Sequence, residues 1–325
     1  MTPRLLVLAS ALFSATALPA LAEQLRIGWQ QIVEPARVAQ AGGKYESATG
    51  AEIEWKLFGG GADVIAAIAS GAIDIGYVGS SPLTAAASQQ LPIQTVYVVG
   101  NIAEAEALAV KGVTSPEQIK GKTIATPFVS TAHYSLLTAL KHWGVAPGDV
   151  KLLNLRPQEI GAAWERGDID GAYVWDPVLN QIKTSGGTVL ADSKQVADWG
   201  GPTFDAWIVR KDYAEKHPDI VTAFVRTTGE VTDAYLANPA AWGPDSAEAQ
   251  EIAKLTGAPA ADVPALLKGY AFAGLKDQGS EQFLGGATAQ AIKATAAFLE
   301  EQGSAKALDD YAPYVNASFA IAAGK

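Results

Sequence analysis

From Glu23 onward, short apolar runs alternate with amphipathic stretches, and few folds accommodate that pattern besides helices packed on mostly parallel sheets. The strand-like runs are LRIGW (25–29), EIEWKLF (52–58), IDIGYVG (73–79), PIQTVYVVG (92–100), EALAVK (106–111), TIATPF (123–128), VKLLNL (150–155), IDGAYVW (169–175), VLADS (189–193) and FDAWIVR (204–210). Between them lie helical patterns, among them 33–50 ending at Gly50, 130–144 and 157–167; a long helical remainder is expected from Tyr213 to the end. One outline occurs twice. G-A-I-D-I-G-Y-V-G-S-S at 71–81 returns as G-D-I-D-G-A-Y-V-W-D-P at 167–177, so that Asp74 matches Asp170 and Tyr77-Val78 matches Tyr173-Val174. Each copy leaves a helix through a glycine and enters a buried strand, so each half of the chain is expected to hold a similar α/β unit. Ligands in open α/β sheets sit beyond the carboxyl ends of strands. The two ends here are Gly79-Ser80-Ser81 and Trp175-Asp176, and facing halves would line one cleft with them.

A chain of 325 residues suggests two domains or lobes. Its net charge of −10, with no long basic block, argues against nucleic acid and anionic membrane surfaces as partners. The absence of cysteine excludes disulfides, thiolate nucleophiles and cysteine-bound zinc. Three histidines, none in an H-E-x-x-H arrangement, speak against a catalytic metal, and no cofactor is expected. At the start, Arg4 precedes the apolar LLVLASALFSATAL, and Ala20-Leu21-Ala22 closes it in a small-x-small pattern. This is the pattern of a secretory signal peptide over residues 1–22, cut before Glu23. Cleavage removes Arg4 and leaves the mature chain one unit more negative. With no cysteine after the cut there is no site for a lipid anchor, so the expected product is soluble and exported.

Ser80 and Ser81, with Pro82 in the first helical turn, fit either a plain helix cap or an anion receptor built on orphan N–H groups. PFVSTAHYSLLTALKHWG repeats the arrangement, with Ser130 and Thr131 at a helix start and His133 and Tyr134 in its first turn. Two hydroxyl-rich helix starts, one per half, would hold a tetrahedral anion without any arginine. His133 has no G-x-S-x-G elbow to make it part of a nucleophilic triad. Glu106 opens the apolar run EALAV and Asp205 enters FDAWIV; both are carboxylates at a candidate rim. Trp175 ends a buried strand, as core or as a wall that attracts a cation. The triple glycine at 59–61 lacks the Lys-Ser/Thr of a phosphate loop and is expected to be a hinge or turn.

The segments GSSPL, FVSTAHYSLLTALKHWG, AAWERGDIDGAYVWDP and DAWIVRKDYAEKHPDIV together resemble the periplasmic taurine-binding proteins of ABC importers, within a wider family that takes sulfonates, nitrate and thiamine-precursor pyrimidines. The resemblance runs from about Leu25 into the C-terminal helices and is strongest between Gly71 and Val225. It implies a two-lobed periplasmic binding fold, each lobe a mostly parallel sheet flanked by helices, with two hinge crossovers and no catalysis. Lobe 1 is then 23–103 and 208–325, including the C-terminal helices, and lobe 2 is 104–207. The resemblance further implies a sulfonate held by Ser80, Ser81 and the turn Thr131–His133, with Gln30 as another ligand contact. It places an ammonium group at Glu106 and Asp205, and Trp175 against the carbon chain. Asp176, if it faced the cleft, would strengthen cation binding. The expected partners are taurine or a similar small sulfonate and an inner-membrane ABC permease, for a monomeric periplasmic protein. Other sulfonates or small zwitterions are the alternative ligands. A related-fold enzyme of pyrimidine or sulfinate chemistry is the alternative class.

Overall fold

The computed structural model describes residues 23–325; the expected signal peptide, 1–22, lies outside the described residues. Among the described residues eleven strands form two sheets. They are β1 (Gln24–Trp29), β2 (Glu52–Leu57), β3 (Ile75–Gly79), β4 (Ile93–Ile102), β5 (Glu106–Lys111), β6 (Thr123–Thr126), β7 (Lys151–Asn154), β8 (Gly171–Trp175), β9 (Gly187–Asp192), β10 (Phe204–Arg210) and β11 (Tyr270–Phe272). The first sheet runs β11-β4-β10-β3-β1-β2 and the second β7-β6-β8-β5-β9. Both are mixed: β1, β2 and β3 are mutually parallel, as are β6, β7 and β8, while β10 and β5 enter antiparallel.

The repeated outline marks equivalent strands. In one sheet β3 lies between parallel β1 and antiparallel β10; in the other β8 lies between parallel β6 and antiparallel β5. The matched aspartates do matched work at the strand entrances. Asp74 accepts from the backbone N–H of Arg26 at 3.0 Å, and Asp170 from that of Thr123 at 2.8 Å. Residues within β5 show why the sheets hold helices on both faces. Ala107 and Ala109 join one apolar cluster with Trp164 and Leu179, whereas Leu108 and Val110 join another that continues into the first lobe.

Three expectations shift. The helix expected over 33–50 is two short ones, α1 (Ala36–Ala41) and α2 (Lys44–Thr49), because Gly43 takes the left-handed φ of +63° and turns the chain between them. The remainder after Tyr213 is not purely helical: three residues, β11, add an edge strand to the first sheet. The chain crosses to the second sheet between Ile102 and Glu106, near the expected residue 103. The return at 207 falls inside β10, which pairs with β3 and β4 from Phe204 onward, so the second crossing lies between Asp192 and Phe204. Beyond β10 the helix Pro218–Ala237 packs on α1 and α2, and the helix Ser318–Ala323 packs on it in turn. Among the described residues no helix is long and apolar enough to cross a membrane.

Candidate functional site

Antiparallel pairing brings the start of each crossover strand level with the carboxyl end of a repeated strand. Glu106 of β5 is opposite Trp175 of β8, and Asp205 of β10 is opposite Gly79 of β3. Both carboxylates reach one cavity between the sheets, which is also lined by Gln30, Ile102, Thr131, Trp175 and Tyr270.

One wall is made of helix starts. α3 (Gly61–Ala69), α4 (Ser80–Ser88) and α5 (Thr131–His142) direct their first turns at the cavity through Gly61, Gly79 with Pro82, and Ser130 with Thr131. First-turn N–H groups have no acceptor within their own helix, and three helix dipoles converge with their positive ends on this wall. Close packing explains two of the small residues. A Cβ on Gly61 would lie 2.5 Å from Cγ of Pro82, and one on Gly79 would lie 2.6 Å from Cγ2 of Thr131.

Two acidic side chains lie directly beside these helix starts. Glu106 is 1% exposed and accepts from the hydroxyls of Thr131 at 2.6 Å and Ser193 at 2.8 Å. Asp205, 3% exposed, accepts at Oδ2 from Tyr77 at 3.0 Å and Tyr270 at 3.1 Å. Burial pushes the Glu106 carboxyl up to about 7, against the lowering effect of its hydroxyl donors. Burial, reinforced by Glu106, pushes Asp205 up to about 8. Among the described residues lining the cavity none is basic. Neutral Gln30 spends its side-chain N–H on the carbonyl of Tyr77 at 3.0 Å, and Trp175 covers the side. A wider chamber adjoins through Gln30 and Trp175, and a Gln158–Gln31 hydrogen bond of 2.6 Å joins the two lobes beside it.

Of the residues expected at the ligand, Gln30, Glu106, Thr131, Trp175 and Asp205 line this cavity, and Ser80, Ser81 and His133 do not. Ser80 is fully buried, and its hydroxyl accepts from the N–H of Phe204 at 3.4 Å, towards β10. Ser81 is buried in the packing of α4. The His133 ring stacks on Phe128 at 4.5 Å, and burial holds it at about 4, so it carries no charge at neutral pH. Thr131 faces the cavity, but its hydroxyl donates to Glu106. Asp176 lines neither chamber; it accepts from the N–H of Asn180 at 2.9 Å at the start of the helix Val178–Thr184. Four lining residues escaped the sequence reading altogether as parts of a site: Ile32 and Ile102, which read as plain core, Tyr270, on a strand too short to show alternation, and Gly61, whose triple glycine resembled a turn. Among the described residues no cluster of metal-ligand side chains occurs.

Two α/β lobes with a cavity between them, lined by helix starts and two buried carboxyls, define a solute-binding protein. Residues 23–254 match the substrate-binding domain of the ABC-type glycine betaine transport system. Over 305 residues, 93% of this chain and 94% of the relative, the sequence is 47% identical to the taurine-binding periplasmic protein of Escherichia coli (strain K12). A putative aliphatic sulfonates-binding protein of Bacillus subtilis (strain 168) is 28% identical across 63% of each chain. Among solved structures, the alkanesulfonate-binding protein of Xanthomonas axonopodis pv. citri bound to MOPS superposes with a TM-score of 0.74 at 25% identity, covering 88% of this chain and 95% of that one. The chain belongs to this family of substrate-binding components of ABC transporters, which are binding proteins and not enzymes. The desulfurization enzyme DSZB, at 12% identity and a TM-score of 0.63 over 93% of this chain and 98% of that one, shares the fold alone.

Proposed function

We propose that this protein captures taurine in the cavity between its lobes and delivers it to an ABC permease of the inner membrane. The observation that carries this reading is what one cavity brings together: three helix starts, two buried carboxyls beside them, and no basic lining residue. The sulfonate oxygens accept from first-turn N–H groups of α4 and α5 and from the start of α3, so the anion is held by backbone more than by the Ser80 and Ser81 hydroxyls. The ammonium group faces Glu106 and Asp205, Trp175 packs on the two-carbon chain, and Gln30 closes the side. Thr131 acts on the ligand through Glu106, which its hydroxyl orients. The 47% identity to a taurine-binding relative supports the same ligand.

The protein works as a monomer in the periplasm, released by cleavage before Glu23. The lobes, meeting at the crossings near 103 and between 192 and 204, close over the ligand because each contributes part of the site. Calorimetry of ligand-free protein against taurine, ethanesulfonate, β-alanine, sulfate and nitrate tests the assignment. Taurine binds tightest, and ethanesulfonate at least about a hundredfold more weakly, because it leaves two buried carboxyls without their partner. Equal affinity for the two would mark a general sulfonate receptor and sink the cation site.

A further inference from the structure

The two carboxyls of the cavity raise a question of charge balance that the ligand assignment leaves open. Glu106 and Asp205 are both buried, share one small chamber, and face no basic side chain among its described lining residues. Their hydrogen bonds come from hydroxyls: Thr131 and Ser193 for Glu106, Tyr77 and Tyr270 for Asp205. Hydroxyls satisfy lone pairs but cancel no charge, and two like charges in one water-poor chamber cannot both persist without a cation. We propose that the Glu106–Asp205 pair holds a proton in the ligand-free protein and releases it to solvent when a ligand's ammonium group docks, so that capture is an exchange of a proton for an ammonium. This rests on the reading of the cavity as a site for an aminosulfonate.

The groups facing the pair from each packed element do not supply a different proton at neutral pH. Tyr77 of β3, Tyr173 of β8 and Tyr270 of β11 are raised well above their ordinary value by burial and stay neutral. From α5, Thr131 and Ser135 present only hydroxyls. Behind Tyr77, Glu34 is already paired with Arg37 of α1, whose guanidinium lies against the Tyr77 ring. The rise of both carboxyls towards neutrality agrees with a shared proton.

The exchange has a signature that mere polarity of the site lacks. Taurine and ethanesulfonate are titrated at pH 6, 7 and 8 in phosphate and in imidazole, which both buffer over this range and whose ionisation heats differ. For taurine at pH 6, roughly one proton is released per molecule bound, and affinity is about 10- to 50-fold weaker at pH 6 than at pH 8. Ethanesulfonate, which brings no ammonium, releases none and does not weaken on acidification. Asp205→Asn moves the taurine profile towards acid, because Glu106 alone ionises more readily; Asp176→Asn, removing a buried carboxyl outside the chamber, leaves it in place. Taurine binding with buffer-independent heat and a flat pH profile would overturn the exchange while leaving the aminosulfonate reading intact. Failure to bind taurine at any of these pH values overturns both, and loss of proton release in Asp176→Asn transfers the proton to the wrong carboxyl and overturns the exchange.

Discussion

The two lobes are variations on one unit, and the places where they differ are the places that meet the cavity. At the entrance of the repeated strand they agree, each aspartate receiving a backbone N–H from the neighbouring strand. Even there the first lobe is tighter. Asp74 is 2% exposed and pairs with both Arg26 and Arg210, whereas Asp170 is 40% exposed with Lys122 at 3.7 Å. At the carboxyl end the lobes diverge. Gly79-Ser80-Ser81 opens a helix start towards the cavity, and the matching Trp175-Asp176-Pro177 places an indole there instead. One end presents bare backbone at a helix start; the other offers an apolar wall. The carboxylates remain symmetric, one at the head of each crossover strand, so the two units agree in their acids and differ in what the repeated strand presents beside them.

Breaking the acidic symmetry gives the largest expected effect. Asp205→Asn and Glu106→Gln each keep shape and remove charge, and each is expected to weaken taurine by about 2–5 kcal/mol, with little change for ethanesulfonate. Titration of both variants with both ligands reads this. Should only one variant matter, the ammonium is held by one lobe and the pair is not a pair.

The pH dependence of stability sharpens the contrast between Ser80 and its counterpart Asp176, which burial pushes up to about 7. Glu106, Asp205 and Asp176 all bind protons more tightly folded than unfolded. Their contribution is therefore greatest at low pH and is lost as pH rises from about 4 to about 8. The ligand-free protein is expected to lose a few kcal/mol across that window, seen as a falling Tm, and taurine to restore much of it at pH 8. Asp176→Asn removes one of the three slopes without touching the cavity. A Tm that rises steadily from pH 4 to 8 would contradict this assignment.

Gly79 tests the difference at the strand ends. A Cβ there meets Thr131 Cγ2 at 2.6 Å across the lobe boundary and Asp205 Oδ1 at 3.3 Å. Gly79→Ala is expected to oppose closure, at roughly 1–3 kcal/mol of taurine affinity, and to abolish the decrease in small-angle scattering radius that taurine gives the parent. Wild-type compaction by the variant would mean that Thr131 moves aside freely.

Much of this architecture was legible because it is written in periodicity and repetition. Alternating runs gave all the longer strands, and the 71–81 and 167–177 outlines marked the two central strands and hence the two lobe ends. The acidic pair was visible because a carboxylate at the head of an apolar run is unusual. What escaped depends on contacts distant in sequence. Tyr270 reaches Asp205 from a three-residue strand 65 positions away, and nothing local announces it. The break at Gly42-Gly43 was hidden inside an apolar pattern that continues through it. The direction of a hydroxyl is likewise not local: Ser80 and Thr131 sit at the expected helix starts, but Phe204 and Glu106, on the crossover strands, decide where their side chains point.

That last distinction sets the smallest expected effect, and it bears on how the anion is held. If serine hydroxyls were the anion's donors, Ser80→Ala would cost about 1.5–3 kcal/mol of affinity. In the folded protein the Ser80 hydroxyl faces the N–H of Phe204 at a long 3.4 Å, while the helix start offers the ligand only its backbone. Alanine keeps that backbone and its dipole, so the loss in taurine affinity is expected to stay below about 0.5 kcal/mol. Ser130→Ala differs in kind: its hydroxyl caps α5 by accepting from the N–H of His133 at 3.1 Å, and its removal costs about 1 kcal/mol of stability. Calorimetry and thermal melts on the two variants separate the cases. A tenfold loss of taurine binding in Ser80→Ala would show that the hydroxyl turns into the cavity when ligand arrives, and that the first lobe grips the sulfonate with side chain as well as backbone.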